Sequence, residues 1–556
     1  MGHGQSSDRA PPTEDSRVAK TKYGNIVGRR FTFENRQVDA FQGVPYANPP
    51  VGNLRFRKPE PPEPWEGVRE TKAFAASSIQ KPTLLERKVL GNISEDCLYL
   101  NVFTPVWSPS SASGFAVLVF IHGGGFVSDS TTKYGDVDIC RHLCTKDVVV
   151  VTVQYRVGFL GFFSTGDEYC RGNFGLWDQI LALKWIQENI SFFNGNQNNV
   201  TAMGQSSGAG NVDLLSICPA SRDLFHRMIL MSGNANCEWA IHHNIVERCR
   251  KFAEKNGVRL SRDSAMMIDI LRGLPASKFA VSLMDTLDMS ECVVGPCIDG
   301  DLIPKNVSEL RKEAPTKPML IGCCSSEGLM FLTLGSLTVL REKPSVNAIM
   351  ENVALIFPEI NYPIVFKKLR NEIFNQLLTD SEDFVAVARA NVEVLGDLFI
   401  NIAIQRTVLD VLETHSAPVY FYSFDYYNPK SWGPLSLYFR WPFKDASHCT
   451  DLTYVFAVGI HWDFQLNEDD KKMLEFTTRM WTNFAKYGNP NGFPSDSASS
   501  LHQLCGEDFS WEPSTECNPQ KHLSLKLRPE MHEQFKNGRP LFIVQMQRNK
   551  AMPKEI

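Results

Sequence analysis

No run of about 18 apolar residues occurs anywhere in the chain of 556, so no membrane-spanning helix is expected. The opening, Met1-Gly-His-Gly-Gln-Ser-Ser-Asp-Arg-Ala-Pro-Pro-Thr-Glu-Asp-Ser16, has no apolar core of the kind a secretory signal carries. The last residues, Ala551-Met-Pro-Lys-Glu-Ile556, are not an ER-retention signal. Basic tracts with interleaved aromatics are missing, and a net charge of -5 gives nucleic acid no footing. There are fourteen cysteines, but none stands in a zinc spacing: Cys323 and Cys324 are adjacent, and Cys292 and Cys297 are too far apart for C-x-x-C. No repeat, charge run or flexible linker divides the chain. These absences lead to a simple expectation: a disordered polar tail over 1–16, then one domain over 17–556, in the cytoplasm with its thiols free. No metal and no cofactor is expected. Gly2 with Ser6 fits the M-G-x-x-x-[ST] myristoylation pattern, and a single acyl chain there would give weak, reversible membrane contact.

What is present is an ordinary globular composition, 43% hydrophobic and 21% charged. Phe115-Ala-Val-Leu-Val-Phe-Ile121 and Asp147-Val-Val-Val-Val-Thr-Val-Gln-Tyr155 are continuous apolar runs, as suits strands covered on both faces. Trp177 to Asn189 carries Ile180, Leu183 and Ile186 at helical spacing. Arg227–Met231, Pro318–Ile321 and Pro418–Ser423 read as further strands, separated by long helical stretches. Strand and helix alternate, which implies an α/β fold: a mostly parallel central sheet flanked by helices. Ser345–Asp410 reads as helical insertions, Phe41–Phe56 as a long structured loop and Pro494–Leu504 as a surface loop.

The chemistry is organised around Asn199-Val-Thr-Ala-Met-Gly-Gln-Ser-Ser-Gly-Ala-Gly210. Gly204-Gln205-Ser206-Ser207-Gly208 fits G-x-S-x-G, the strand-to-helix elbow that lifts a nucleophilic serine out of a sheet. Alone, the pentapeptide also suits an ordinary glycine-rich turn. His122-Gly-Gly-Gly-Phe126 directly follows the strand ending at Ile121. Consecutive bare N–H groups at that place suit an oxyanion hole, with Gly124, Gly125 and Ser207 as candidate donors. A phosphate loop would need Lys-Ser or Lys-Thr after the glycines, and neither follows. Of twelve histidines, His448 stands in a stretch of small polar residues ahead of an apolar helical segment, where an imidazole can project into a pocket. Glu327, in Ile321-Gly-Cys-Cys-Ser-Ser-Glu-Gly328, sits after a strand and between serine and histidine in chain order.

With these segments in order, the chain resembles a type-B carboxylesterase of the cholinesterase–carboxylesterase family. Further landmarks are Glu95–Val102, Tyr155-Arg-Val-Gly-Phe-Leu-Gly161, Asn173-Phe-Gly-Leu-Trp-Asp-Gln179 and Trp481-Thr-Asn-Phe-Ala-Lys-Tyr-Gly-Asn-Pro-Asn491. The resemblance runs from about Val18 to the end. It implies the α/β-hydrolase fold and a triad of Ser206, His448 and Glu327. It further implies Ser232 as a supporting hydroxyl near the histidine, and Trp239, Phe126, Met330 and Phe331 beside the substrate.

Several positions depart from the family pattern. Gln205 stands where the family often has glutamate, which removes a negative charge near His448 and is expected to change the pH profile. Ser207 replaces the usual alanine. Cys97 lacks its expected disulfide partner, because that position is Ser78. No tryptophan lies between Ser78 and Cys97 to hold a quaternary ammonium, so a cholinesterase is excluded. Small side chains around Ser290 and Cys292 imply an acyl pocket roomy enough for medium or longer acyl groups. The expected function is ester hydrolysis through an acyl-enzyme on a small-molecule ester. The rivals are an acyltransferase using an alcohol or sugar hydroxyl, and a non-catalytic, neuroligin-like binding protein.

Overall fold

The computed structural model describes residues 14–82, 90–258, 263–283, 294–334, 383–414, 417–430, 441–459, 465–493, 499–501 and 509–548. The strands among them are β1 (Glu14–Lys20), β2 (Asn25–Phe33), β3 (Arg36–Pro45), β4 (Val68–Glu70), β5 (Tyr99–Pro105), β6 (Phe115–Ile121), β7 (Val148–Val153), β8 (Gly195–Gln205), β9 (Arg227–Met231), β10 (Met319–Cys324), β11 (Val419–Phe424), β12 (His522–Leu525) and β13 (Glu530–His532). They form one sheet in the order β1-β2-β3-β5-β7-β6-β8-β9-β10-β11-β12-β13, with β4 paired to β2. From β7 through β12 every pairing is parallel, while β1, β2, β3, β5 and β7 pair antiparallel in succession.

The continuous apolar runs have a direct physical outcome. Successive side chains of a strand point to opposite faces. In β6, Phe115, Val117, Val119 and Ile121 enter one core, and Ala116, Leu118 and Phe120 enter the other. In β7, Val149, Val151 and Val153 divide from Val148 and Val150 in the same way. Helices Phe174–Asn189 and Ser207–Ile217 cover the first face through residues such as Ile180, Leu183, Val212 and Leu215. Helices Thr450–Phe456 and Glu468–Tyr487 cover the second through Val455, Met473, Met480 and Phe484. The longest of these begins at a reciprocal cap, Asn467 with Asp470, and stops at Gly488 in the left-handed region.

Two boundaries differ from the sequence reading. β1 already begins at Glu14, so residues 14–16 are strand and not polar tail; pairing with Arg29 and Arg30 of β2 decides it. Phe41–Pro45 continue β3 rather than opening a loop, because β5 pairs with them despite the following prolines and glycines. The helical insertion appears from Phe384 onward, as helices Phe384–Gly396 and Ile402–Leu412 joined by a π turn at Asp397–Asn401. Residues 345–382 of that insertion, Gly2, Ser290, Cys292 and most of the 494–504 loop lie outside the described residues. Among the described residues no helix is long and apolar enough to cross a membrane.

Candidate active site

Four neighbouring parallel strands end at one edge of the sheet. Ile121 of β6 pairs with Gly204 of β8, Gln205 of β8 with Met231 of β9, and Met231 with Gly322 of β10. The segments that follow these strands therefore meet although they are far apart in the chain. They carry the His122–Phe126 loop, Ser206, Ser232 and Glu327. The crevice beyond the carboxyl ends of parallel strands is where such sheets bind ligands.

Ser206 sits at φ 57, ψ -129, between β8 and the helix Ser207–Ile217. A non-glycine residue is strained there, and the turn holds it with an N–H bond to the Met231 carbonyl at 2.8 Å. Both flanking glycines are required. A Cβ on Gly204 would overlap the Gly208 carbonyl, and one on Gly208 would overlap the carbonyls of Ile121 and His122.

Glu327 follows β10 and is buried, as is His448. One carboxylate oxygen, Oε2, lies 2.6 Å from His448 Nδ1. The other, Oε1, accepts from the Ser232 hydroxyl at 2.5 Å and the Cys324 N–H at 2.7 Å. Ser232 thus supports the carboxylate, not the imidazole directly. The two loops are stitched together. Ser326 N–H donates to the Ala446 carbonyl at 2.8 Å, and the Ser326 hydroxyl donates to Asp445 at 2.8 Å. The C-terminal segment adds a clamp: Lys536 Nζ donates to the Ser325 carbonyl and pairs with Glu393 at 3.4 Å, while Arg539 pairs with Asp397 at 2.8 Å.

The far nitrogen of the imidazole, His448 Nε2, faces Gln205 Nε2 at 3.2 Å. Ser206 Oγ has no hydrogen-bond partner among the described residues. The arrangement therefore brings together acid and histidine, and places Gln205 at the nitrogen expected to serve the serine.

In the glycine loop, Gly124, Gly125 and Phe126 have φ of 93, 61 and 63. The Gly124 carbonyl accepts from Val127 and Ser128, which turns the loop and leaves the N–H groups of Gly124 and Gly125 with no acceptor among the described residues. Ser207 N–H, at the first position of its helix, has no intrahelical partner either. The Ser207 hydroxyl accepts the Phe126 N–H at 3.2 Å and so ties loop to elbow. His122 stacks on Tyr155 at 4.5 Å beneath, and Tyr155 donates to the His122 carbonyl at 2.8 Å.

The sequence profile of the carboxylesterase family matches residues 15–543. The chain belongs to the carboxylesterase family. It is similar to Esterase cest-33 of Caenorhabditis elegans, 34% identical over 559 residues that take in 96% of this chain and 94% of that esterase. It is also similar to Pyrethroid hydrolase Ces2a of Mus musculus, 33% identical with 89% and 86% covered. A third relative is the medium-chain fatty acyl-CoA hydrolase precursor of Anas platyrhynchos, 32% identical with 85% and 84% covered. This carboxylesterase is a carboxylic ester hydrolase with the α/β-hydrolase fold.

The walls around the carboxylesterase's histidine are aromatic. Phe331 lies 5.2 Å from the His448 ring and stacks on Phe399 at 4.7 Å. Trp239 donates its Nε1–H to the Phe399 carbonyl at 3.0 Å and lies 6.1 Å from Phe126. Met330 is half-buried on the same helix as Phe331. Phe399 escaped the sequence reading because it is carried by the π turn, which has no local signature; such turns recur at functional sites. Asp451 escaped as well. It is fully buried three residues after His448, accepts from Tyr422 at 2.9 Å, and is pushed up to about 7 by burial and then by Glu327. The departure at Cys97 is visible too: the thiol is free, buried against Ser78, and pushed up to about 12 by burial. A cavity of about 540 Å³ lined by Arg57, Lys58 and Trp177 lies elsewhere and includes none of the candidate site residues.

Proposed function

We propose that this carboxylesterase works through an acyl-enzyme on Ser206. The observation that carries the reading is the Glu327–His448 contact of 2.6 Å, with both groups buried and the second imidazole nitrogen, Nε2, turned to the elbow, where it meets Gln205. A buried carboxylate that accepts from Nδ1 fixes the tautomer with the lone pair on Nε2 and stabilises the imidazolium once it forms. Ser206 gives its proton to His448 Nε2 as Oγ bonds to the ester carbonyl carbon, and the carbonyl electron pair moves onto oxygen. The N–H groups of Gly124, Gly125 and Ser207 receive that oxyanion; each lacks a competing acceptor among the described residues. Collapse expels the alcohol with the proton from His448, and water repeats the sequence to release the acid.

Labelling with a fluorophosphonate probe tests the assignment. Wild type should be modified at Ser206, and Ser206→Ala should lose both labelling and turnover. Turnover near wild type in Ser206→Ala would remove Ser206 as nucleophile. Products formed with an alcohol in excess distinguish hydrolysis from acyl transfer. Cys97 facing Ser78 also supports the proposal of a reducing, cytoplasmic setting, which fractionation of cells would check.

A further inference from the structure

Gln205 is the last residue of β8, is 2% exposed and has its backbone fixed by pairing to Met231. Its amide nitrogen points at the imidazole nitrogen that the proposed mechanism needs. The roles in this contact are set by chemistry. Glu327 as a carboxylate can only accept, so His448 Nδ1 carries the hydrogen at 2.6 Å. Nε2 of the neutral ring then carries a lone pair and can only accept. Gln205 Nε2 is a donor, so the 3.2 Å contact is an N–H bond from the amide to the base. The lone pair that would take the proton of Ser206 is already in use, and Ser206 Oγ is unpartnered among the described residues.

Gly123 makes room for this amide. A Cβ at Gly123 would come within 2.6 Å of the Gln205 carbonyl and 3.2 Å of its Oε1. The first glycine of the triple, which is no oxyanion donor candidate, is thereby the floor under the Gln205 side chain.

We propose that Gln205 is a positioning residue that occupies the base nitrogen of His448 in the resting enzyme, and that acylation begins with release of this bond. The inference rests on the acyl-enzyme reading. Release frees Nε2 to accept the Ser206 proton. After transfer, Nε2–H is a donor, and the same amide can turn its oxygen toward it. A carboxylate in this place could only accept and would hold the imidazolium; a thioether has no hydrogen to donate to the lone pair and accepts only weakly.

The test uses full-length protein with histidine selectively labelled with ¹⁵N. Because Nε2 is bonded to Gln205 and not to Ser206, Ser206→Ala should leave the His448 Nε2 resonance where it is. Gln205→Met should move it toward that of an unbonded neutral imidazole. Gln205→Met should also react with a fluorophosphonate about 2- to 10-fold faster, the range one net hydrogen bond supplies. A resonance that moves in Ser206→Ala overturns the proposal from wild-type-like protein alone, even if Gln205→Met fails to fold. An equal or slower labelling rate in folded Gln205→Met also overturns it. Failure of wild type to label at Ser206 would instead sink the acyl-enzyme reading, an outcome the resonance measurement does not depend on.

Discussion

The backbone N–H of Phe126 donates to the hydroxyl of Ser207 at 3.2 Å, across the seam between the glycine loop and the elbow helix. Both groups are buried, so neither has water as a substitute. Ser207→Ala keeps the N–H offered to an oxyanion but orphans that of Phe126. It should cost about 1 kcal/mol of stability. It should also slow turnover by less than the roughly 10²–10³-fold of a lost oxyanion donor. Thermal unfolding and kcat measured together check this, and a variant unchanged in both would contradict it.

Ser232 and Glu327 are joined by a 2.5 Å bond from hydroxyl to carboxylate. Ser232→Ala leaves Oε1 with the Cys324 N–H alone. Hydrogen bonds to charged groups are worth about 1.5–3 kcal/mol, and part of this supports the imidazolium in the transition state. The expected result is a fall in kcat of about 10-fold with KM little changed. A rise in KM with kcat intact would place Ser232 in substrate binding instead.

Asp451 gives a pH signature in stability. Burial, and then Glu327, push its carboxyl up to about 7 in the folded protein, against an ordinary value of 3.8. Between those values the native state holds a proton that the unfolded chain has lost. Stability is therefore full below about pH 4 and falls as pH rises to about 7, on the order of 4 kcal/mol by linkage. Asp451→Asn removes the penalty. Its melting temperature should exceed that of wild type at pH 8, with the gap closing toward pH 4–5. An equal gap at both ends of the range would refute this account.

The Phe331–Phe399 stack stands between His448 and Trp239. Phe399→Ala opens space beside Phe331, on the His448 side, and keeps the Phe399 carbonyl that Trp239 bonds to. With a series of p-nitrophenyl esters, the preferred acyl chain should lengthen, and kcat/KM for the longest esters should rise relative to acetate. Unchanged chain-length preference would separate Phe399 from the substrate. Wild type with strict acetyl preference would refute the roomy pocket expected from Ser290 and Cys292.

The legible parts of this site are those where the backbone itself makes a demand. Gly204 and Gly208 are required by carbonyls a Cβ would strike, and such demands leave glycines at fixed spacing. The apolar runs of β6 and β7 are legible because each face of the strand enters a separate core. Pairing across long separations is not written locally, which is why Phe41–Pro45 read as loop although β5 makes them strand. The same holds for side-chain meetings. Gln205 stands out in the sequence as a lost charge, but only the fold puts its amide nitrogen on His448 Nε2. Asp451 and Phe399 become site neighbours through a helix start and a π turn that no periodicity announces.

The clamp from Lys536 to the Ser325 carbonyl sets an order in time. During synthesis the serine elbow, the carboxylate loop and the histidine all emerge before the lysine that pins the carboxylate's turn. The Lys536 and Arg539 contacts cannot form until the chain has been made about 90 residues past His448. A chain cut short ahead of residue 536 would thus carry Ser206, Glu327 and His448, and the Ser326 bonds to Asp445 and Ala446, yet lack the cation that holds the Ser325 carbonyl from the other side.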